Sequence, residues 1–436
     1  MMMHKKLTAL ISASVLCTVL AGAPAPLLAQ DINYNLPSAQ TVQERKDSRS
    51  NQAVSERVGR RLMTALDLYT EEQDVKGAIA ELQDIDPREG FDRAYVNRFL
   101  GNLYAADEQF ERAFDLVKQA ADADVLGWGD QATVLKLTAD LALQMERYSD
   151  AIVYYGKWLQ FTGERDPDVF MRIANAFYEL KQYEKIIRPA DIAIEAFRAK
   201  GEENRNPYIM KVASYYERKM YAEAVVVLEE GLNVLPGEKA WWNQLGMMYM
   251  LLENTQKALQ TMEIAYLAGY LDKESHFKAL VQLYSNIEVP YKAASIMERH
   301  IESGDIEKTS RNYKTAASSY EQAREYAKAA DLYGKAAQLE DERSERADVY
   351  RRQGTAFLRA EEFTKAADAY LKAIDNDIEN PGRVYMSLTE AYFYNNNFRE
   401  ALKYVQEAKK FSNERRNASS WEQYIRQKAS NRGVSL

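Results

Sequence analysis

From about residue 58 onward, apolar residues fall three and four positions apart, in paired short runs joined by polar turns. Trp242, Leu245, Gly246 and Tyr249 form one run; Ala258, Met262 and Ala265 form its partner. Steps of three and four place side chains on one stripe of a helix, so each pair of runs predicts a helix hairpin with facing stripes. The pattern returns at Leu100, Gly101 and Tyr104 with Ala113 and Val117, and at Phe277, Leu280 and Tyr284 with Ala293 and Met297. It returns again at Tyr350, Gly354 and Phe357 with Ala366 and Tyr370, and closes with Tyr385, Leu388 and Tyr392 before Ala401. One position fixes the register, the small residue early in each second helix. It reads Ala78, Ala113, Ala151, Ile186, Ala224, Ala258, Ala293, Ala329, Ala366 and Ala401, at intervals of 34 to 38 residues, which gives about ten units. A lone hairpin cannot bury both of its faces, so the hairpins must stack along one axis.

The residue types fit that reading. Gly and Ala belong where two helices cross closely, and aromatics such as Tyr104 and Tyr249 fill the wider space beside them. Pro290 opens a second helix, where its missing N–H costs little. Pro189 falls inside the second helix of the fourth unit and predicts a kink or break. Together with Ile186 in place of alanine, it predicts an irregular joint near residues 184–204. Ser419 to about Lys428 predicts a capping helix with Trp421, Tyr424 and Ile425 on one side. The resulting division is 1–29, 30–57, 58–410 and 411–436, the second being a flexible polar leader and the last a cap and tail.

The first segment has the order of a cleavable secretory signal. Lys5 and Lys6 precede the uncharged apolar stretch Leu7–Leu20, and small residues lead to a cut after Ala29. No later stretch is apolar enough to span a membrane. Cys17 is the single cysteine and would leave with this segment, which removes disulfide, thiolate and cysteine–metal chemistry. A large exported chain without disulfides fits a bacterial periplasm. Losing Lys5 and Lys6 takes the formal charge from -8 to -10, which argues against general nucleic-acid binding.

These spacings resemble the tetratricopeptide repeat (TPR) over roughly residues 59–410. The resemblance implies an all-α, right-handed solenoid that binds proteins. A narrower resemblance rests on Thr41–Arg45, on Leu271–Ser275, on Val289–Ala294 and on Ser420–Ile425. These stretches look like periplasmic TPR proteins of Gram-negative bacteria found alongside TonB–ExbB–ExbD systems. That likeness implies an adaptor for energised outer-membrane uptake, with TonB, ExbB or ExbD-type components as partners. The competing assignment is a scaffold for envelope assembly or polysaccharide export.

In TPR arrays the first helix of each hairpin lines a concave groove. Helical phase then points Arg98, Lys136, Met171, Asn243, Lys278, Lys314 and Arg351 into it. Asn102, Asn175, Met247 and Gln282 follow one turn on, with Tyr178, Tyr216 and Met250 beyond. The expected groove has a Met/Tyr-rich middle and basic stretches toward both ends, suited to an extended or helical peptide carrying acidic groups. The alternative is that the cations pair with neighbouring acids on the same surface. Arg98 and Asn102 supply a fragment of a two-carboxylate clamp that the next unit does not complete.

No catalytic or cofactor site is expected. His276 and His300 are too few for a zinc site or a serine triad. Residues 375–379 lack the glycine and distal glutamate of a calcium loop. Gly127-Trp128-Gly129 has no Lys-Ser/Thr after it and is no phosphate loop.

Overall fold

The computed structural model describes residues 31–49 and 52–436; the signal-segment reading and Cys17 lie outside them. Every element among the described residues is helical. The chain divides into two compact units, Met1–Arg218 and Lys219–Leu436.

In the first unit, α1 (Ala39–Ser48) precedes four hairpins. They are α2 (Glu56–Thr70) with α3 (Val75–Gln83), α4 (Phe91–Ala106) with α5 (Phe110–Ala123), α6 (Trp128–Gln144) with α7 (Tyr148–Thr162), and α8 (Pro167–Glu179) with α9 (Ile187–Ala199). The unit ends on α10 (Asn206–Glu217). The second unit opens on α11 (Tyr221–Val234) and continues through five hairpins. These are α12 (Lys239–Leu251) with α13 (Thr255–Leu267), α14 (Glu274–Asn286) with α15 (Pro290–Ser303), α16 (Ser310–Gln322) with α17 (Tyr326–Gln338), α18 (Arg343–Arg359) with α19 (Phe363–Asp375), and α20 (Pro381–Tyr394) with α21 (Phe398–Lys409). It closes on α22 (Arg415–Asn431). From α2 onward, successive helices within each unit pack on one another in chain order, an all-α solenoid build.

The hairpin turns share one device. A single residue takes left-handed backbone: Gln73, Glu108, Glu146 and Lys181 in the first unit, Glu253, Glu288, Arg324, Glu361 and Asn396 in the second, with φ from 55° to 62°. The next-residue N–H then bonds five residues back, as Gln109 to Tyr104 at 2.9 Å, Asn254 to Tyr249 at 2.9 Å and Val289 to Tyr284 at 3.0 Å. This Schellman closure satisfies carbonyls that the helix end would orphan, and it reverses the chain in three residues.

Packing follows the small positions. All nine register alanines are fully buried, as is Ile186. The glycines one helix earlier make the close crossings. A Cβ on Gly101 would lie 2.5 Å from Val117 Cγ1, one on Gly246 2.6 Å from Met262 Sδ, and one on Gly354 2.7 Å from the Tyr370 ring.

The structure departs from expectation at three places. The irregularity of the fourth hairpin falls before Pro189: a 3-10 turn covers Tyr183–Ile186 and α9 starts at Ile187. Pro189 therefore sits in the first α-turn, where an N–H has no intrahelical partner to lose. The cap is longer than expected, and its buried residues are Ala418, Ile425 and Ala429, with Trp421 partly covered and Tyr424 43% exposed. The leader over residues 31–49 is docked. Ile32, Tyr34 and Leu36 pack against the core of the first unit, and α1 is anchored to the end of α7.

Candidate functional site

The candidate groove residues divide between the units, and each set stands on the first helices of its hairpins. In the first unit, the basic positions are tied to acids at the start of the next first helix. Arg98 on α4 meets Asp130 in the first turn of α6 at 3.1 Å, and its guanidinium lies 4.9 Å from the Tyr95 ring centre. Lys136 on α6 meets Asp166, the N-cap of α8, at 2.9 Å and covers the Trp158 ring. Burial would raise the Asp166 carboxyl, but the Lys136 contact and the Asp168 N–H outweigh it and hold the group below its usual range. Acids at a helix N-terminus also complement the helix dipole, so each link serves two ends at once. Asn102 is exposed; Met171, Asn175 and Tyr178 on α8 are half-buried, and Tyr216 on α10 is 48% exposed.

In the second unit the cations are paired too, two of them within their own helix and Lys314 with an acid in the loop before α18. Lys278 pairs with Glu274 one turn earlier at 2.5 Å, Lys314 with Glu340 at 3.0 Å and Arg351 with Asp348 at 2.6 Å. The basic row is thus paired within the fold at all five positions, Arg98, Lys136, Lys278, Lys314 and Arg351. The groove expected to attract acidic groups presents cations whose carboxylates are already supplied. Asn243 departs further: it is buried, and its Nδ2 donates to the Tyr270 carbonyl at 3.2 Å, so it belongs to the loop that precedes α14.

Further along α12 and α14 the exposed positions are apolar and amide in character. Met247 and Leu251 on α12 are 44% and 49% exposed. The same two register positions on α14 carry Gln282 and Asn286, both exposed, with Gln282 Nε2 donating to Asn286 Oδ1 at 2.7 Å. Met250 is half-buried beside them.

A second recurring constellation was not anticipated. A glutamate five residues after one register alanine accepts from the tyrosine nine before the next, and a lysine one before that alanine covers the ring. Glu229, Tyr249 and Lys257 form one set; Glu263, Tyr284 and Lys292 a second; Glu298, Tyr320 and Lys328 a third. The lysine-to-ring distances are 5.1, 5.2 and 5.2 Å. Burial and the glutamate together push the Tyr284 hydroxyl up to about 12, and Tyr249 and Tyr320 shift the same way. Where the glutamate position becomes Gly334, the tyrosine position is Phe357, still covered by Lys365 at 5.3 Å. Hydroxyl and carboxylate are lost together, so neither is left unsatisfied. The sequence signal was the fixed offset of Glu, Tyr and Lys from the alanine. It clamps consecutive hairpins together.

His300 stacks on Phe277 with ring centres 3.9 Å apart and is held by Asp305 at 2.8 Å and Tyr266 at 3.2 Å. His276 is largely buried, and desolvation lowers its pKa. Among the described residues no three His, Cys, Asp or Glu side chains gather as a metal site, and no helix is long and apolar enough to cross a membrane.

Comparison with known proteins gives one family match: residues 314–381 match the tetratricopeptide repeat model. Among solved structures, a subunit of a Naa15/Naa10 complex bound to HypK-THB is similar at 13% identity, covering 86% of this chain and 65% of that one, with a TM-score of 0.46. A chain of the APC/C Cut9–Hcn1 hetero-tetramer is similar at 14% identity, 84% and 83% coverage and a TM-score of 0.27. A tetratricopeptide repeat protein from Parabacteroides merdae is similar at 12% identity, 68% and 98% coverage and a TM-score of 0.33. The matched stretch runs from Lys314 on α16 to the start of α20 and spans the register alanines Ala329 and Ala366. Residues 314–381 are thus tetratricopeptide repeats, and the hairpins that come before and after them in the chain are built on the same positions.

Proposed function

We propose that this chain is a periplasmic adaptor that captures a protein partner on the first-helix faces of its repeats, and that the partner belongs to a TonB–ExbB–ExbD type energy-transduction system. The observation that carries the capture role is the exposed strip of Met247, Leu251, Gln282 and Asn286 in the second unit. Methionine and leucine give adaptable apolar contact, and side-chain amides can bond a peptide backbone. Such a strip takes an extended or helical peptide, and apolar contact carries more of the affinity than charge does. The export and TonB parts rest on the N-terminal signal pattern and on the short resembling stretches. Solenoid repeats serve interaction, and the chemistry assembled here is tied up in packing.

The test is affinity capture from envelope fractions after crosslinking in intact cells. Half-exposed Met247 and Leu251 would each gain roughly 1 kcal/mol on full burial, so Met247→Ala with Leu251→Ala should weaken capture about thirtyfold. Lys278→Glu, Lys314→Glu and Arg351→Glu together should weaken it less, because those cations already have carboxylate partners within the fold. Capture indifferent to the Met247/Leu251 double substitution refutes the binding face. A crosslinked set containing no TonB, ExbB or ExbD-type component refutes the partner assignment and leaves the envelope-scaffold reading.

A further inference from the structure

The leader lies on the first unit as a bound peptide would. Residues 31–37 form no regular element, and Ile32, Tyr34 and Leu36 pack on the core in alternation with exposed Asn33 and Asn35. Gln160 on α7 donates from one amide to two leader carbonyls, Asn33 at 2.8 Å and Asn35 at 3.1 Å. That is backbone recognition by a side chain, indifferent to the leader's own polar residues. Ile32 lies over Gly156 of α7, within ordinary contact distance of that position.

Helix α1 then plugs the end of α7. Arg45 donates to the carbonyls of Gln160 at 2.6 Å and Phe161 at 2.8 Å, two of the last acceptors of that helix. Cations suit that end of the dipole. Arg49 donates to the Leu126 carbonyl at 2.9 Å and to Asp124 at 2.5 Å. Both guanidinium groups lie over Phe161, at 5.6 and 4.8 Å. Gly163 completes the seat: it has φ 67°, and a Cβ there would meet Val42 at 2.8 Å.

One feature of this contact is poorly satisfied. The Tyr34 hydroxyl is buried with no hydrogen-bond partner, and burial raises its pKa strongly. A buried unpaired hydroxyl penalises the docked state. The leader is a specific ligand for this face but not an optimal one.

We propose that the face of α7 is a second peptide-binding site, filled in cis by residues 31–49 and opened when a partner segment of the same build displaces them. The partner is defined by chemistry: a non-helical stretch with apolar residues at alternate positions, followed by a helical turn carrying two arginines. A tethered segment acts at an effective concentration on the order of millimolar, so an incoming segment succeeds only by binding better or when the tether is weakened.

The probe is a fluorescent synthetic peptide of residues 31–49, titrated into the full chain and followed by anisotropy. Wild type should take it up weakly, because the site is filled. Arg45→Ala with Arg49→Ala should raise peptide affinity at least tenfold by releasing the tether. Adding Gln160→Ala to that variant should cut the gain at least fivefold. Tyr34→Phe, which removes the unsatisfied hydroxyl and tightens the tether, should lower uptake at least threefold below wild type. Helical circular dichroism is recorded for each variant. A folded Arg45/Arg49 variant that binds no better than wild type overturns the proposal, and so does binding untouched by Gln160→Ala.

Discussion

Gly101→Ala on α4 probes the close crossing on which the hairpins are built. In a helix interior the change should favour the folded state by about 1 kcal/mol, since alanine is the better helix former. Here the new Cβ would sit 2.5 Å from Val117 Cγ1, 3.2 Å from the Ala113 carbonyl and 3.3 Å from the Val117 nitrogen. Two of those atoms are backbone and cannot rotate away. Overpacking of this kind costs about 1–3 kcal/mol, so the net effect is destabilising by up to about 2 kcal/mol. Val117→Ala alone removes two fully buried methyls and should cost about 2 kcal/mol. In the double variant the added methyl occupies the space Val117 vacates. The two changes should therefore couple favourably by at least ~1 kcal/mol. Native-state hydrogen exchange read on α4 and α5 peptides reports this locally, without assuming that a long repeat array unfolds in one step. Gly101→Ala that stabilises α4 and α5, or a double variant additive within about 0.5 kcal/mol, would refute the close-crossing argument.

Three further outcomes follow from the polar contacts. Burial alone would raise the Asp122 carboxyl, but hydrogen bonds from Lys118, Lys157 and Tyr154 bring it down to about 2. Its stabilising contribution is present above the ordinary carboxylate range and is lost as pH falls toward 2; Asp122→Asn should flatten that acid limb in pH-dependent melting, and an unchanged limb contradicts the assignment. Burial raises the Glu390 carboxyl, so its ionisation opposes folding as pH rises above the usual glutamate range. Glu390→Gln should therefore raise Tm at pH 7 and leave it unchanged near pH 3.5; equal effects at both pH values would contradict this. Tyr284→Phe removes a hydrogen bond to the Glu263 carboxylate and should cost about 1–2 kcal/mol, whereas Phe357→Tyr at the corresponding position should gain nothing, because Gly334 offers no acceptor there. Urea-unfolding midpoints of the two variants would decide it.

The hairpins were legible because their signal is local. The register alanines and Gly101, Gly246 and Gly354 recur at fixed spacing, and the structure buries them where that spacing required. The charged face was less legible where its partners lie on another element, unlike Lys278 with Glu274 and Arg351 with Asp348, which share a helix. Lys136 and Asp166 are thirty residues apart, and Lys314 and Glu340 twenty-six, so helix periodicity along one element does not pair them. The docking of the leader is not legible in its composition. Its apolar content is low, yet Ile32, Tyr34 and Leu36 alternate, and the arginines of α1 bind carbonyls that no sequence pattern displays. The Glu–Tyr–Lys clamp was visible only as offsets from the alanine, and only once two consecutive hairpins were compared.

The claim beneath all of this is that partners are captured on the first-helix faces. A photoreactive residue placed singly at Met247, at Gln282 and, on the exposed side of the second helix α13, at Gln260, then activated in living cells, tests it most directly. The account predicts the same partner adduct from positions 247 and 282 and none from 260. An adduct from position 260 with none from the other two would contradict it.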